Sequence, residues 1–401
     1  MRPFESIVCV GQATWAGDFQ KAIVQLMTEL AARHRILYVD YQYTLKDLVM
    51  GLAGRRGDVP VRVLLGRGNA LTQKTVAGGH IVYVWQPPLM LPVNFLPPRL
   101  HDRLARRNAA KLVRHLRRVM QQLSISNPLV INGLNPVFGL PMLGELGEVG
   151  TVYYCFDEIA KSAWMQRHGP RFEVPYVRRV NAVITTSETL RHAKQATQPH
   201  TYCIKNGVNF DLFHQARQLA LANPPAAPVV GYLGTADNRL DLPLLVHCAR
   251  TMPDVTFEFI GEVHEPALTA QLLAFPNVQF LPPHQPDALP PLLARWSVGV
   301  IPFVCNEHTY TIYPLKINEY LAAGLAVVAT PFSLLTDFDG IIEVADSPER
   351  FALALRRALA DTSEARITGR VDAARHNTWA HRAREFETVM EQLDLQPTYW
   401  Q

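Results

Sequence analysis

The stretch Thr309–Pro331, TYTIYPLKINEYLAAGLAVVATP, constrains this chain more than any other. Pro314 suits the first position of a helix, because its ring fixes φ and its missing N–H would lack a partner there anyway. Leu315–Ala323 carries good helix formers, and Gly324 stands where a helix end needs positive φ. Leu325–Ala329 is a short apolar run of the kind buried in a parallel sheet. The unit is a helix, a glycine stop and a core strand.

Lys316 and Glu319 are three residues apart and share one face of that helix. A helix start offers unpaired N–H groups and the positive end of a dipole, which suits a phosphate, and a lysine there adds a mobile point charge. A carboxylate one turn deeper can accept hydrogen bonds from both hydroxyls of a ribose. An ordinary surface ion pair has the same spacing.

The rest of the chain alternates strands and helices. Ser6–Val10 reads as a strand, Gly11–Gly17 (GQATWAG) as a loop, Asp18–Arg33 as a helix and Arg35–Asp40 as the next strand. This is the opening of a doubly wound sheet, in which ligands gather beyond the carboxyl ends of the strands. The loop either approaches a phosphate or an acceptor, or makes a tight turn. Val61–Leu65, Ile81–Trp85, Leu129–Asn132 and Thr151–Cys155 are expected strands. Gly66 and Gly68 form only a fragment of a dinucleotide fingerprint, with Leu71 where a third glycine belongs. Asp157 and Glu158 follow directly on a strand. Either can serve as a general base, and either can instead cap the following helix or pair with an arginine. Asn181–Thr185 is a further strand, and Ser187 is the expected N-cap of a helix to Gln195.

Gln218–Pro228 (QLALANPPAAP) has the composition of a linker. Beyond it Val229–Leu233, Val255–Ile260, Val278–Leu281 and Val298–Pro302 are expected strands, and Asp241–Arg250, Pro348–Ala360 and Trp379–Leu393 helices. Gly234 either lets the backbone approach a diphosphate or turns a strand into a helix.

At 401 residues, 48% hydrophobic and 18% charged, the chain has enough apolar content for two domains with substantial cores. It has no run of about 18 apolar residues that would span a membrane. Its start, MRPFESIVCVG, lacks the core of a signal peptide. Five scattered cysteines without a CxxC pair fit reduced thiols in a cytoplasmic protein. The net charge of +4 is unevenly spread: residues 1–210 hold 26 Lys and Arg against 13 Asp and Glu, and residues 211–401 hold 13 against 22. The basic half shows no nucleic-acid module, so an anionic membrane surface or a phosphate-bearing acceptor is the expected partner. The apolar stretch QPPLMLPVNFLPP leads into a basic helix with Arg99, Arg103, Arg106 and Arg107 in its first turns. Leu100, Leu104, Leu112, Leu116, Val119 and Leu123 form its expected apolar stripe. Such a helix either lies on anionic lipid or packs its stripe on the sheet and leaves its arginines in water.

PLKINEYLAAGLAVVATP resembles the donor-binding segment of nucleotide-sugar glycosyltransferases with the two-domain B-type fold. Asn206-Gly207-Val208-Asn209, with Phe213 beyond, resembles their NGVDxxxF connector, and NTWAHRAREF resembles their closing segment. The resemblance implies an α/β chain of two Rossmann-like doubly wound domains facing a central cleft. The acceptor domain would be 1–215, the linker 216–228 and the donor domain 229–378, with 379–401 a last helix returning to the first domain. It implies a UDP- or GDP-sugar donor, with Glu319 on the ribose and Lys316 on the diphosphate. Gly234, Tyr313, Pro314 and Leu315 would lie around that donor. Asp157 would be the catalytic base of the first domain, with Gly11, Thr14, Trp15 and Glu158 near the acceptor. No metal is expected, because the DxD spelled by Asp337 and Asp339 belongs to a different glycosyltransferase fold. Thr311 stands eight positions before Glu319, where many retaining members carry a second glutamate. The resemblance is closest to bacterial enzymes of surface polysaccharide synthesis. It implies a lipid-linked acceptor and a peripheral position on the inner face of the plasma membrane, with Arg99, Arg103, Arg106 and Arg107 as membrane contacts. Two rivals share the architecture: a nucleotide-sugar 2-epimerase and a non-catalytic sugar-nucleotide-binding scaffold.

Overall fold

A computed structural model describes residues 4–17, 21–161, 165–224, 227–393 and 395. Asp18, where the first helix is expected to start, lies outside the described residues, as do Pro225 and Ala226 of the expected linker and most of the chain after Leu393. The chain divides into two units, Met1–Lys205 with Ala383–Gln401, and Asn206–Arg382.

In the first unit the chain runs β1 (Ser6–Val10), α1 (Ala22–Leu30), β2 (Arg35–Val39), α2 (Leu45–Leu52), α3 (Val61–Leu64), β3 (Leu71–Thr75) and β4 (Ile81–Trp85). It continues through α4 (Pro98–Gln122), β5 (Leu129–Gly133), α5 (Pro136–Met142), β6 (Gly150–Cys155), α6 (Gly169–Val177), β7 (Ala182–Thr185), α7 (Glu188–Gln195) and β8 (Thr201–Cys203). The strands form one sheet in the order β3-β4-β2-β1-β5-β6-β7-β8, parallel except for the antiparallel pair β3 and β4. Every residue of β1, β5 and β6 is buried, as expected of strands covered on both faces. Side-chain alternation sends Val8, Val10, Leu37 and Val39 to the face covered by Leu112, Val113 and Leu116 of α4.

Two expectations are corrected here. Val61–Leu65 is not a strand: Val61–Leu64 is a short helix, and the edge strand is Leu71–Thr75, whose polar side chains face water. Helix α4 does not bury the whole expected stripe. Leu100 is exposed and Leu104 half-buried, while His101, Ala105, Asn108 and Ala109 occupy the inner face ahead of Leu112. Arg99, Arg103, Arg106 and Arg107 are exposed, and none meets a carboxylate among the described residues.

The second unit runs α8 (Phe210–Ala222), β9 (Val229–Leu233), α9 (Leu242–Thr251), β10 (Thr256–Ile260), α10 (Pro266–Leu272), β11 (Val278–Leu281), α11 (Pro290–Leu293) and β12 (Val298–Ile301). Then come α12 (Leu315–Ala322), β13 (Ala326–Ala329), β14 (Glu343–Val344), α13 (Pro348–Ala360), α14 (Glu364–Arg375) and α15 (Trp379–Gln392), which continues into the first unit. The six strands are parallel, in the order β11-β10-β9-β12-β13-β14. The stretch read as a linker, 216–228, is helical as far as Ala222. Gln218–Ala222 are good helix formers, and Leu212, Phe213 and Ala216 anchor the helix in the core of this unit. The glycine stop is present: Gly324 has φ 79° directly before the strand. Among the described residues no helix is long and apolar enough to cross a membrane.

Candidate active site

In the second unit the site is built at the carboxyl end of β9 and the start of α12. Leu233 N–H donates to the Tyr320 hydroxyl (2.8 Å), which ties α12 to the end of β9. Gly299 leaves room for this, since a Cβ there would lie 2.4 Å from the Tyr320 ring, and Gly231 leaves room for the Trp296 ring that meets Tyr320 edge-on. Pro314 is the N-cap of α12 (φ −79°, ψ 106°), not its first helical residue, a correction to the sequence reading. Leu315 is therefore the first helical residue, and the N–H groups of the first turn have no partner within the helix.

Gly234 ends β9 with φ +146°, in a region that favours glycine, and its Cα lies against the Lys316 side chain. Lys316 is partly buried and Glu319 is buried. Neither side chain has a hydrogen-bond partner among the described residues. Burial lowers the Lys316 pKa, with the Glu319 carboxylate opposing the shift. Burial pushes the Glu319 carboxyl up to about 7, against the pull of Lys316. A buried acid that titrates at about 7 and a desolvated amine on one helix face therefore stand ready for a ligand that brings hydroxyl donors and negative charge.

Two residues at this end of the sheet escape a motif-based reading. Arg239 forms an ion pair with Asp237 (2.6 Å) and lies over the Phe303 ring at 5.5 Å. Burial would raise the Asp237 pKa, but the hydrogen bonds from Arg239 outweigh it and leave the carboxyl below its ordinary value. Both charges act on Lys316. The signal was the charged triplet DNR three residues after Gly234, too short to interpret without the sheet. Tyr313 is buried, and its hydroxyl accepts from Asn318 Nδ2 (3.4 Å). Thr311 donates to the His308 carbonyl (2.7 Å). Asp337 lies within a single 3-10 turn and Asp339 directly follows it, and among the described residues no group of three or more His, Cys, Asp or Glu is placed to hold a metal ion.

In the first unit Gly11 packs under Tyr38, where a Cβ would lie 2.3 Å from the hydroxyl. The Tyr38 hydroxyl donates to the Ala13 carbonyl (2.6 Å), and Lys21 donates to the Thr14 carbonyl (2.7 Å). Trp15 N–H donates to Asp40 Oδ1 (2.9 Å), and the Trp15 ring meets Tyr38 edge-on. The loop is thus a fixed cradle. Thr14 and Trp15 line a cavity of ≈ 580 Å³ together with Asp40 and Lys74. Burial raises the pKa of Asp40, against hydrogen bonds from the Tyr41 and Trp15 N–H groups. Asp40 ends its strand without a motif to mark it and is missed by sequence reasoning.

Asp157 stands at the carboxyl end of β6, half-buried, and its Oδ1 accepts from Glu158 N–H (2.8 Å). It does not line that cavity. Glu158 belongs to a different cluster. Its carboxylate accepts from Lys194 (3.4 Å), which also bonds Glu173 (2.9 Å), itself an acceptor from the Tyr153 hydroxyl (3.0 Å). Burial alone would lower the Lys194 pKa, but Cys155, Glu173 and Glu158 outweigh it and raise it.

Two parallel-sheet α/β units of this topology define the fold of the B-type glycosyltransferases. Residues 227–361, which include the site at Gly234, Lys316 and Glu319, match the family described as glycosyl transferases group 1. A putative teichuronic acid biosynthesis glycosyltransferase of Bacillus subtilis, TuaH, is 26% identical over 211 residues, covering 48% of this chain and 53% of that protein. The chain thus spans about half the length of this curated relative. Sucrose-phosphate synthase from Thermosynechococcus elongatus superposes with a TM-score of 0.70 at 17% identity, over 97% of this chain and 98% of that one. HepE of Anabaena, in complex with UDP, gives 0.65 at 16% identity, over 97% and 100%.

Proposed function

We propose that the protein is a glycosyltransferase that moves a sugar from a UDP- or GDP-sugar to an acceptor hydroxyl on a lipid-linked or cell-surface polysaccharide precursor. The observation that carries this reading is the pair Lys316 and Glu319, an amine and a carboxyl desolvated on the first turns of α12 with no hydrogen-bond partner for either among the described residues. The group 1 match over 227–361 and the description of TuaH support it. Glu319 accepts both ribose hydroxyls of the donor. Lys316 and the first-turn N–H groups of Leu315 and its neighbours receive the diphosphate, with Gly234 allowing its close approach and Tyr313 and Pro314 setting the helix start. As the bond to the anomeric carbon breaks, charge grows on the leaving diphosphate, and preorganised donors stabilise it most at that moment.

On the first unit Asp157 takes the acceptor proton, and the cradle of Gly11, Thr14 and Trp15 positions the acceptor. The exposed Arg99, Arg103, Arg106 and Arg107 hold the protein peripherally on an anionic membrane face. A thermal-shift screen of UDP- and GDP-sugars, followed by detection of the released nucleotide, tests the reading. Donor-dependent stabilisation that Lys316→Ala and Glu319→Ala abolish is expected. Normal affinity and turnover in both variants would overturn it.

A further inference from the structure

A second cavity of the first unit, ≈ 300 Å³, opens between the start of α2, the segment 90–95 and α5. Its wall is locked by amides that bond one another. Asn135 Nδ2 donates to Gln42 Oε1 (2.8 Å), and Gln42 Nε2 donates to the Gly11 (3.0 Å) and Asp40 (2.8 Å) carbonyls. Asn108 bonds the Leu91 backbone at both its amide atoms (3.0 Å each). Gln12 is the exception, because its Oε1 is buried with no donor in reach among the described residues. An unmet buried acceptor at the edge of a rigid pocket suits a hydroxyl from a ligand.

The mouth has a different chemistry. Lys46 lines it, exposed and without an acidic partner among the described residues. Asp47 beside it is engaged by Arg56 and the Thr44 N–H, and His168 by the Asn94 carbonyl and Arg171. Two apolar side chains of its lining stand in water, Leu91 (40% exposed) and Phe95 (65%), and on α2, which supplies Lys46, Leu45, Val49 and Leu52 form an outward apolar stripe. An apolar rim with a free cation above a polar pocket matches an amphiphile carrying a phosphate.

We propose that this cavity is the acceptor subsite for a saccharide joined through phosphate to a lipid. A sugar hydroxyl donates to Gln12 Oε1, the phosphate pairs with Lys46, and the chain lies over Leu91 and Phe95. This rests on the glycosyltransferase reading and deepens it, because that reading places the acceptor's reacting end at the cradle of Gly11, Thr14 and Trp15 and leaves the place of its phosphate and lipid open.

Two simple amphiphiles separate the parts: dodecyl phosphate and dodecyl β-D-glucoside, each below its micelle concentration, titrated calorimetrically into the intact protein. Lys46→Gln is expected to weaken dodecyl phosphate about tenfold and leave the glucoside unchanged. Gln12→Leu should do the reverse, and Phe95→Ala should weaken both. Binding by all three variants with unaltered affinity overturns the assignment, as does inorganic phosphate binding as tightly as dodecyl phosphate. Thermal shift with UDP and GDP on the same variants should be unchanged, since the donor site lies on the other unit. The nucleotides shifting every variant alike while no amphiphile binds would overturn this subsite and leave the glycosyltransferase reading standing.

Discussion

The Cα of Gly234 lies so close to Lys316 that an added methyl group would stand 2.4 Å from Lys316 Cε and 3.0 Å from Nζ. The two residues are 82 positions apart, and the missing side chain of the glycine leaves the lysine room to lie across the end of the strand. Gly234→Ala should displace the amine, because the end of a flexible side chain yields before backbone does. Donor affinity and turnover should both fall. The φ of +146° adds a stability loss of about 1–3 kcal/mol, measurable by denaturant titration. A variant with wild-type donor affinity would show that Lys316 works from another position.

Glu319 predicts a pH signature. Its pKa is raised from 4.5 to about 7 by burial, so the folded chain holds this proton more tightly than the unfolded chain does. Its contribution to stability is fully present below 4.5 and is lost as pH rises through about 7, on the order of 3 kcal/mol at most. Glu319→Gln should therefore melt above the wild type at about pH 8 and match it at about pH 4. Because ribose hydroxyls favour the ionised form, nucleotide affinity should strengthen between about pH 5 and pH 7. A pH-independent affinity would remove Glu319 from the ribose.

Asp157 and Glu158 should separate cleanly. Asp157→Asn is expected to lower turnover by about 10²–10⁴-fold with donor affinity unchanged. Glu158→Gln should keep most activity, because Glu158 is engaged with Lys194 and its loss leaves Glu173 in place. Activity that survives Asp157→Asn and falls with Asp40→Asn would move the base to the other strand end.

Sedimentation with vesicles containing phosphatidylglycerol tests the basic helix. Replacing Arg103, Arg106 and Arg107 by glutamine should weaken binding roughly a hundredfold at low salt, at about 1 kcal/mol per charge. Thermal stability should be unchanged, since the three side chains are exposed and without acidic partners among the described residues. Equal binding to neutral and anionic vesicles would rule out an electrostatic cause.

Much of this was legible in the residues because the strongest signals are local. A glycine stop between a helix and an apolar run marks Gly324, and strands such as Ser6–Val10 carry their burial in their composition. Val61–Leu65 misleads for the same reason, since a short apolar run does not distinguish a strand from a turn of helix. The true edge strand, Leu71–Thr75, is polar and is set by its pairing with Ile81–Trp85. Tertiary partners were the illegible part. Nothing in the sequence joins Glu158 to Lys194, or marks Asp40 as receiving the Trp15 N–H. In α4 the inner face is lengthened by His101 and Asn108, polar residues that a hydrophobic pattern leaves out.

Helix α15 gives the first unit a part in the order of synthesis. Phe386 and Met390 are fully buried, and Glu387 pairs with Arg33 (2.9 Å) and His34 (3.1 Å), so this unit takes its last core residues from the far end of the chain. On a ribosome the second unit is complete in sequence while the first, though begun earlier, still lacks a helix. The first unit must wait through some 177 residues of the second before it can close, and a chaperone or a stalled ribosome would meet it with that seam open.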